Sequence, residues 1–219
     1  MGRVGLSTRR LVRAGAELAD EEGFAQVTLS ALARRFGVKP ASLYAHVRSS
    51  DDLRTGIALL ALDELADRAA DALAGRAGKD ALSAFAEAYR SYAREHPGRY
   101  AATRHPLDHE TALASAGPRH ARMSRALLRG YALDEPDATH AVRLLGSVFH
   151  GFVDLELSGN FAHSAPPAEE SWHRTLDALD HLLRTWPPAP ATASVPGPDD
   201  PAPATTPAPG PDSPAPATT

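Results

Sequence analysis

The segment "RFGVKPASLYAHV", residues 35–47, groups several polar side chains between apolar ones. Lys39 carries a mobile cation, Ser42 a hydroxyl, and Tyr44 and His46 carry ring groups that donate hydrogen bonds. Cations and short donors of this kind bind phosphate oxygens and the edges of nucleic-acid bases. The composition of the segment therefore indicates contact with a polyanion, and the surrounding elements must hold these side chains outward.

Helical patterns on both sides predict how the segment is held. An apolar stripe over residues 29–36 follows Thr28, a suitable N-terminal cap, and ends at Gly37. The link "GVKP" leads to a second short helix of seven or eight residues, with Pro40 in its first turn. Pro40 and Ala41 are small enough to allow a close approach to DNA, including contact with a thymine methyl group.

Within that second helix, Leu43 and Val47 lie four residues apart and should pack onto Leu32 and Phe36. Two short helices joined by a glycine turn form a helix-turn-helix unit, whose second helix is exposed for the major groove. Helix–glycine–helix pairs also occur in ordinary helical cores, so the periodicity alone leaves both interpretations open.

The rest of the chain indicates an all-α fold, because helical periodicity recurs and no alternating strand pattern is present. A first helix should run from a cap at Ser7 to Gly23, and another should begin near Asp51. Longer helices are predicted over residues 80–96, 118–131, 137–159 and 169–186. We expect a three-helix DNA-binding domain over residues 1–52, a larger helical domain over 53–186 and a disordered tail over 187–219.

The tail prediction rests on the composition of "PPAPATASVPGPDDPAPATTPAPGPDSPAPATT", which has 12 prolines and almost no bulky apolar side chain. Such a segment cannot bury enough surface to offset its chain entropy. Charge is also distributed unevenly. The whole chain carries a net charge of -4, but residues 1–54 hold nine Lys/Arg and six Asp/Glu. A basic head on an acidic body is consistent with a polyanionic partner for the head.

The composition also excludes several classes of protein. The chain has no cysteine, so disulfides and thiolate metal sites are excluded. It has no apolar run as long as a membrane span and no signal-peptide core, so we expect a cytoplasmic protein without membrane contact.

Residues 14–57, "AGAELADEEGFAQVTLSALARRFGVKPASLYAHVRSSDDLRTGI", resemble the DNA-binding domain of the tetracycline-repressor (TetR) family of bacterial transcription regulators. The segment "LLGSVFHGFVDLELSGNF", residues 144–161, is similar to a helical region in one subgroup of that family. The resemblance implies a homodimer that binds operator DNA and responds to a small-molecule effector. It also implies that Thr28 caps its helix near a phosphate, and that Ser30 lies where the family often contacts DNA. By the same resemblance, base edges are contacted by Lys39, Pro40 and Ser42, and the DNA backbone by Tyr44 and His46.

Two positions depart from the family pattern. Family members usually carry an acidic residue at the position of Ala31, so the capping box with Thr28 is missing and this helix start should be weaker. They also usually carry a lysine at the position of Ser50. We expect Ser50 to cap the following helix, and Arg48 to replace the lost ionic contact with DNA.

In the larger domain, aromatic and apolar residues at helical spacing are candidates for the lining of an effector pocket, although such stripes are more often plain core. They are Phe85, Tyr89, Tyr92, Tyr100, Met123, Leu127, Phe149, His150 and Phe152. Surplus apolar positions on the last two helices predict a dimer interface, unless both faces are covered within one subunit. The interface candidates are Leu144, Val148, Leu155, Trp172, Leu176, Leu179 and Leu183.

No catalytic or metal site and no cofactor is expected. His105 and His109 have the spacing of a helical ligand pair, but Pro106 prevents one helix from running through both. The chain has no nucleophile elbow, phosphate loop or HExxH pattern. The absence of these motifs disfavours an enzyme, whereas the resemblance implies a ligand-responsive transcription regulator, which we predict to be a repressor. A ligand-binding protein or enzyme with a vestigial head, and a DNA-binding protein without an effector, remain alternatives.

Overall fold

A computed structural model describes residues 5–187, which are helical and contain no strand. The helices are α1 (Thr8–Glu22), α2 (Leu29–Phe36), α3 (Ser50–Leu73), α4 (Gly78–Glu95), α5 (Pro97–Ala102), α6 (His109–Ala114), α7 (Gly117–Leu128), α8 (Asp137–Leu157) and α9 (Ala168–Arg184). Short 3-10 helices occupy Phe24–Gln26, Pro40–Ser42 and Arg129–Tyr131. The all-α prediction is confirmed for these residues. The predicted tail lies outside the described residues, apart from Pro187.

The predicted caps of the first two helices are confirmed. The Ser7 hydroxyl accepts a hydrogen bond from the Arg10 amide at 3.3 Å, and the Thr28 hydroxyl accepts one from the Ala31 amide at 3.1 Å. Gly37 ends α2 in the left-handed conformation, with φ of 64°, which glycine adopts without steric cost. Local side-chain chemistry thus sets where these helices begin and end.

The element after Gly37 differs from its prediction. The expected α-helix of seven or eight residues is replaced by a 3-10 helix, Pro40–Ser42, followed by hydrogen-bonded turns. The physical reason lies in the backbone bonds, because the Ser42 and Leu43 amides donate to carbonyls three residues back, at 2.9 and 3.0 Å. Leu43 and Val47 still reach the core, so the helix-turn-helix arrangement is kept with a tighter second element.

Two hydrophobic clusters form the core, and α3 contributes to both. Its first half supplies Leu53 and Ile57 to a cluster with α1 and α2, which is the core of the head. Its second half supplies Leu65 and Ala69 to a cluster with α4, α7, α8 and α9, which is the core of the body. The predicted boundary between residues 52 and 53 falls inside this helix. One continuous helix therefore belongs to both cores and connects the head with the body.

Helix α5, which was not predicted, adds a second connection between head and body. A Cβ atom at Gly98 would clash with the backbone carbonyl of Ala19, so α5 lies directly against α1. The Arg99 amide donates to Asp20 Oδ1 at 2.8 Å, and Ala102 enters the core cluster of the head. The Arg99 guanidinium also lies 3.3 Å from Glu64 on α3. Head and body are therefore joined by close packing and by ionic contacts.

We expect Gly98→Ala to lower the free energy of unfolding by about 1–3 kcal/mol or more, because backbone atoms of α1 cannot move aside as a side chain would. The matched control is Gly146→Ala in α8, where a new Cβ atom would contact nothing within 4 Å. That control should be neutral or stabilising by up to about 1 kcal/mol. Thermal and denaturant unfolding measure both changes, and equal stability of the two variants would contradict the close approach.

Candidate nucleic-acid interface and body core

The recognition segment, residues 39–48, is held by two buried anchors. Leu43 and Val47 are 0% and 3% exposed, and they pack in the same cluster as Leu32, as predicted. The predicted DNA-contacting residues that lie exposed are Ser30, Lys39, Pro40, Ala41, Ser42, Tyr44 and Arg48, whereas Thr28 and His46 are half-buried. Tyr44 is 58% exposed, although it directly follows the fully buried Leu43. An aromatic ring in that position is available to a partner.

Hydrogen bonds from neighbouring helices hold the chain at the end of the recognition segment and just after it. The Thr8 hydroxyl of α1 donates to the His46 carbonyl at 2.8 Å. The Leu29 amide at the start of α2 donates to the Ser50 hydroxyl at 3.1 Å. Ser50 was expected to cap the helix in which it lies, but Ser49 does so by accepting from the Asp52 amide at 3.0 Å. Ser50 thus supports the helix that lacks a capping box.

Arg48 is exposed beside this surface, where it was expected to replace a lysine. Its guanidinium lies 2.7 Å from Asp52, and the arginine side chain is 90% exposed. Hydrogen bonds from Arg48 hold the pKa of the Asp52 carboxyl below its usual value. An exposed pair of this kind is weak, so Arg48 can exchange its carboxylate for a phosphate oxygen.

Arg54 is a supporting residue that the sequence reasoning missed. It lies on α3, and its side chain donates to the Val27 carbonyl at 3.2 Å and to the Ala25 carbonyl at 3.1 Å. These bonds hold the connection that leads into the Thr28 cap. No sequence motif marks this role, because the acceptors are main-chain atoms 27 and 29 residues away.

The candidate effector residues lie in the body, where most of them are packed against one another. Those that are buried are Phe85, Tyr89, Tyr92, Tyr100, Leu127 and Phe149, whereas Met123, His150 and Phe152 are half-buried. The Phe85 and Tyr89 ring centroids lie 5.0 Å apart, and those of Phe85 and Phe149 lie 6.4 Å apart. In this structure the aromatic side chains form the core itself. Their role as an effector site stays a prediction.

Two tyrosine–histidine pairs place polar groups inside this apolar core. The Tyr89 hydroxyl lies 2.6 Å from His120 Nδ1, and His120 Nε2 lies 3.0 Å from the Leu62 carbonyl. Because a carbonyl only accepts, Nε2 carries the proton and Nδ1 accepts from Tyr89. This chain of bonds joins α4 and α7 to α3. His120 was also missed by the sequence reasoning.

The second pair joins Tyr100 to His150, with 2.7 Å between the hydroxyl and Nδ1. Burial, together with the positive charge of Arg104, lowers the pKa of His150 to about 4. Burial also lowers the pKa of His120. Both histidines are therefore neutral near pH 7, and the core presents uncharged donors and acceptors.

An ionic cluster around the buried Arg90 joins three body helices. Arg90 of α4 is 0% exposed, and its guanidinium donates two hydrogen bonds to Glu156 of α8, at 2.7 and 2.9 Å. It also donates to Glu169 of α9 at 2.8 Å, and it lies 5.3 Å from the Trp172 ring centroid. These hydrogen bonds hold the pKa of Glu156 below its usual value. The partners of Arg90 come from helices that are distant in the sequence, so the sequence reasoning did not identify Arg90.

The dimer candidates divide into two groups. Trp172, Leu176, Leu179 and Leu183 of α9 are between 0% and 5% exposed within the single chain. Their regular spacing is thus explained by packing inside one subunit, and these four side chains do not offer a surface to a second copy. On α8, Leu155 is 47% exposed, and Leu144 and Val148 are half-buried. The α8 residues remain candidates.

Neither a metal cluster nor a membrane span is found in the described part of the chain. Among residues 5–187, no three His, Cys, Asp or Glu side chains are grouped so that they could hold a metal ion. His105 packs instead edge-on against Phe24, with 5.7 Å between the ring centroids. No helix in this range is long and apolar enough to cross a membrane.

We expect the free energy of unfolding to fall as the pH is lowered from about 6.5 to about 4. Unfolded His150 binds a proton below about 6.5, whereas the folded chain resists protonation of this residue until about pH 4. The unfolded state therefore binds more protons in this window. His150→Gln should flatten the profile there in urea unfolding series, and the exposed control His163→Gln should not. If the free energy of unfolding depended on pH in the same way in His150→Gln as in the wild type, the lowered pKa of His150 would be contradicted.

Comparison with known proteins places both parts of the chain in one family. The profile described as bacterial regulatory proteins of the tetR family matches residues 11–57. The profile described as a tetracyclin repressor-like C-terminal domain matches residues 82–179. The two matched ranges include the recognition segment and most of the body core.

Full-length relatives agree with these matches. An HTH-type transcriptional regulator of Mycobacterium tuberculosis, Rv0681, is 41% identical over 158 residues, which cover 70% of this chain and 72% of the relative. The regulator YobS of Bacillus subtilis is 35% identical over 181 residues, covering 82% and 88% of the two chains. Both relatives are described as transcriptional regulators.

A solved structure shows the same fold. The TetR Q116A variant from Acinetobacter baumannii, in complex with minocycline, superposes with a TM-score of 0.64 at 18% identity, covering 83% of this chain and 98% of the other. The fold, the matched profiles and the two relatives agree with the exposed recognition segment on its buried anchors. The chain therefore belongs to the tetR family of bacterial transcriptional regulators and is a DNA-binding protein.

Proposed function

We propose that this protein is a homodimeric repressor, which binds a pseudopalindromic operator and is released from it by a small-molecule effector. The main observation in support of this proposal is the recognition segment, where Leu43 and Val47 are buried and Lys39 and Tyr44 are exposed. Proteins of this family bind operators as dimers and respond to small molecules, and they are generally not enzymes. The proposal involves no cofactor and places the protein with the chromosome in the cytoplasm.

On DNA, the recognition segment would enter the major groove. Lys39 and Ser42 would face base edges, with Pro40 and Ala41 allowing close approach. Tyr44 and His46 would bind backbone phosphates, as would Arg48 after leaving Asp52. Thr28 and Ser30, at the start of α2, would contact the adjoining phosphates. The operator would consist of two half-sites about one helical turn apart, one for each head.

A second copy would pack against the outer face of α8. This face carries Leu155 with Leu144 and Val148, and Gly151 lies exposed between them, where a partner helix can come close. Leu182 of α9 is 37% exposed and extends the apolar surface. Two copies of α8 and α9 would then form a four-helix bundle. The exposed residues of these helices, rather than the Trp172 stripe, would form the interface.

The effector would act on the body core. It must bind the DNA-incompetent dimer more tightly than the DNA-competent one, or it shifts no equilibrium. A TetR variant of the same fold forms a complex with minocycline, which supports a small-molecule effector for this chain as well. A molecule that separated Tyr89 from His120 would break the link that runs from α4 through His120 to α3, the helix shared with the head. Neutral polar groups among aromatic rings favour an uncharged effector with aromatic character.

To test the DNA-binding part, sheared genomic DNA from the source organism is selected on the purified protein at about physiological salt. We expect enrichment of a pseudopalindrome, and its loss with Lys39→Ala/Tyr44→Ala. Both side chains are exposed, so this variant should keep the stability of the wild type. Arg122→Gln, an exposed change on α7, is the control. No enrichment by the folded wild type, even at about 50 mM salt, would sink the proposal. Raised transcription of the enriched genes in a deletion strain identifies repression, and lowered transcription identifies activation.

To test the dimer, Leu155→Asp is compared with Leu113→Asp on α6, where the leucine is 62% exposed. A carboxylate buried between two copies of α8 has no compensating partner, so Leu155→Asp should shift the protein toward monomer and weaken operator binding. Leu113→Asp should do neither. Sedimentation velocity over a concentration series measures the fractions of monomer and dimer in each variant. A monomeric wild type, or an unaltered dimer in Leu155→Asp, would exclude this interface.

A further inference from the structure

Three arginines on the first half of α1 carry charge that the head does not neutralise. Arg9, Arg10 and Arg13 are exposed. Several carboxylates of the head are bound by other arginines, since Glu17 and Glu21 pair with Arg35. In the same way, Asp20 accepts from the Arg99 amide and Asp52 pairs with Arg48. Within residues 5–187, none of the three arginines pairs with a carboxylate. We call this set the α1 arginine strip.

The strip lies along a surface concavity between α1 and the end of α2. Its lining includes Arg9, Arg10, Arg13, Glu17, Arg35 and Phe36. The Arg10 guanidinium lies 5.6 Å from the Phe36 ring centroid, and its Nη1 lies 3.5 Å from the Gly5 carbonyl. Arg9 and Arg13 are four residues apart, so they share one face of the helix. Arg10 is partly held by packing, and the other two guanidinium groups project from the helix.

The strip adjoins the recognition segment at both ends of that segment. Thr8, the neighbour of Arg9, donates to the His46 carbonyl at 2.8 Å. Phe36, which contacts Arg10, directly precedes the Gly37 turn that leads to Lys39. A duplex that occupies the recognition segment therefore comes close to the start of α1.

We propose that the α1 arginine strip binds phosphates of the DNA backbone that flank the half-site, so that it extends the contact beyond the major groove. This inference rests on the proposed binding of DNA by the recognition segment. Guanidinium groups suit phosphate oxygens because their fork of donors matches two oxygens at once. Such contacts supply affinity without sequence preference.

An extended polyanion fits these observations better than a small anionic ligand. The guanidinium groups are spread along an exposed helix and do not converge in a buried pocket. Glu17 lines the same concavity and, although bound by Arg35, would oppose a compact anion at that end. A duplex can contact Arg9, Arg10 and Arg13 in succession, because its phosphates are spaced along its length.

The test measures binding to a 40-base-pair duplex of arbitrary sequence, since phosphate contacts need no operator. The affinity of Arg9→Gln/Arg13→Gln is compared with that of Arg122→Gln/Arg129→Gln between about 50 and 200 mM salt. Both variants lose two exposed charges, but the second pair lies in the body on and just after α7. The slope of log affinity against log salt is negative. We expect its magnitude to decrease by about 2 for each bound head in the first variant, and to stay unchanged in the second.

Two further variants keep the result decisive. Arg9→Lys/Arg13→Lys retains the charges and should restore most of the wild-type slope. The single change Arg9→Gln should give about half the effect of the double change, and thermal unfolding confirms that each variant is folded. Equal slopes for Arg9→Gln/Arg13→Gln and Arg122→Gln/Arg129→Gln would overturn the inference.

The experiments distinguish failure of the repressor proposal from failure of the α1 arginine strip proposal. A wild type that selects an operator, but keeps its salt slope in Arg9→Gln/Arg13→Gln, supports the repressor and refutes the strip. A wild type that selects no operator, but binds the arbitrary duplex with the expected change in slope, supports the strip and refutes specific repression. A wild type that binds neither DNA refutes both.

Discussion

The arrangement of this protein depends on the contact between α5 and the backbone of α1 at Gly98. A side chain at that position would enter the carbonyl group of Ala19, so the two helices pack with only hydrogen between them. The close approach brings the Arg99 amide to Asp20 and carries Ala102 into the core of the head. Together with α3, which belongs to both hydrophobic clusters, this contact joins head and body at two places. The recognition segment is thus held on a head that is packed against the body through both α3 and α5.

The body adds a set of buried polar contacts, each of which joins different helices. Arg90 holds α4, α8 and α9 through Glu156 and Glu169, while the Tyr89–His120 pair joins α4 and α7 to α3. Buried polar groups are costly unless they are hydrogen-bonded, so these contacts favour one packing of the helices over alternatives.

The surface of the head shows how one substitution is accommodated by the residues around it. Ser50, at a position where the family pattern led us to expect a lysine, supports the start of α2 by accepting from the Leu29 amide. This bond partly compensates for the capping box that Ala31 cannot form. The exposed cations in and around the recognition segment include Lys39, Arg48, Arg34 and the α1 arginine strip.

The sequence by itself determined the helical class, the caps at Ser7 and Thr28, the Gly37 turn, and the division of residues 39–47 into buried anchors and exposed polar side chains. These features depend on local backbone chemistry and on periodicity, which act over a few residues. Only the tertiary structure decided the 3-10 form at Pro40, the place of α5, the partners of Arg54, Arg90 and His120, and the burial of the Trp172 stripe within one subunit. Each depends on groups dozens of residues away. A heptad-like spacing shows that a helix needs an apolar neighbour, but the neighbour itself is chosen by how the whole chain packs.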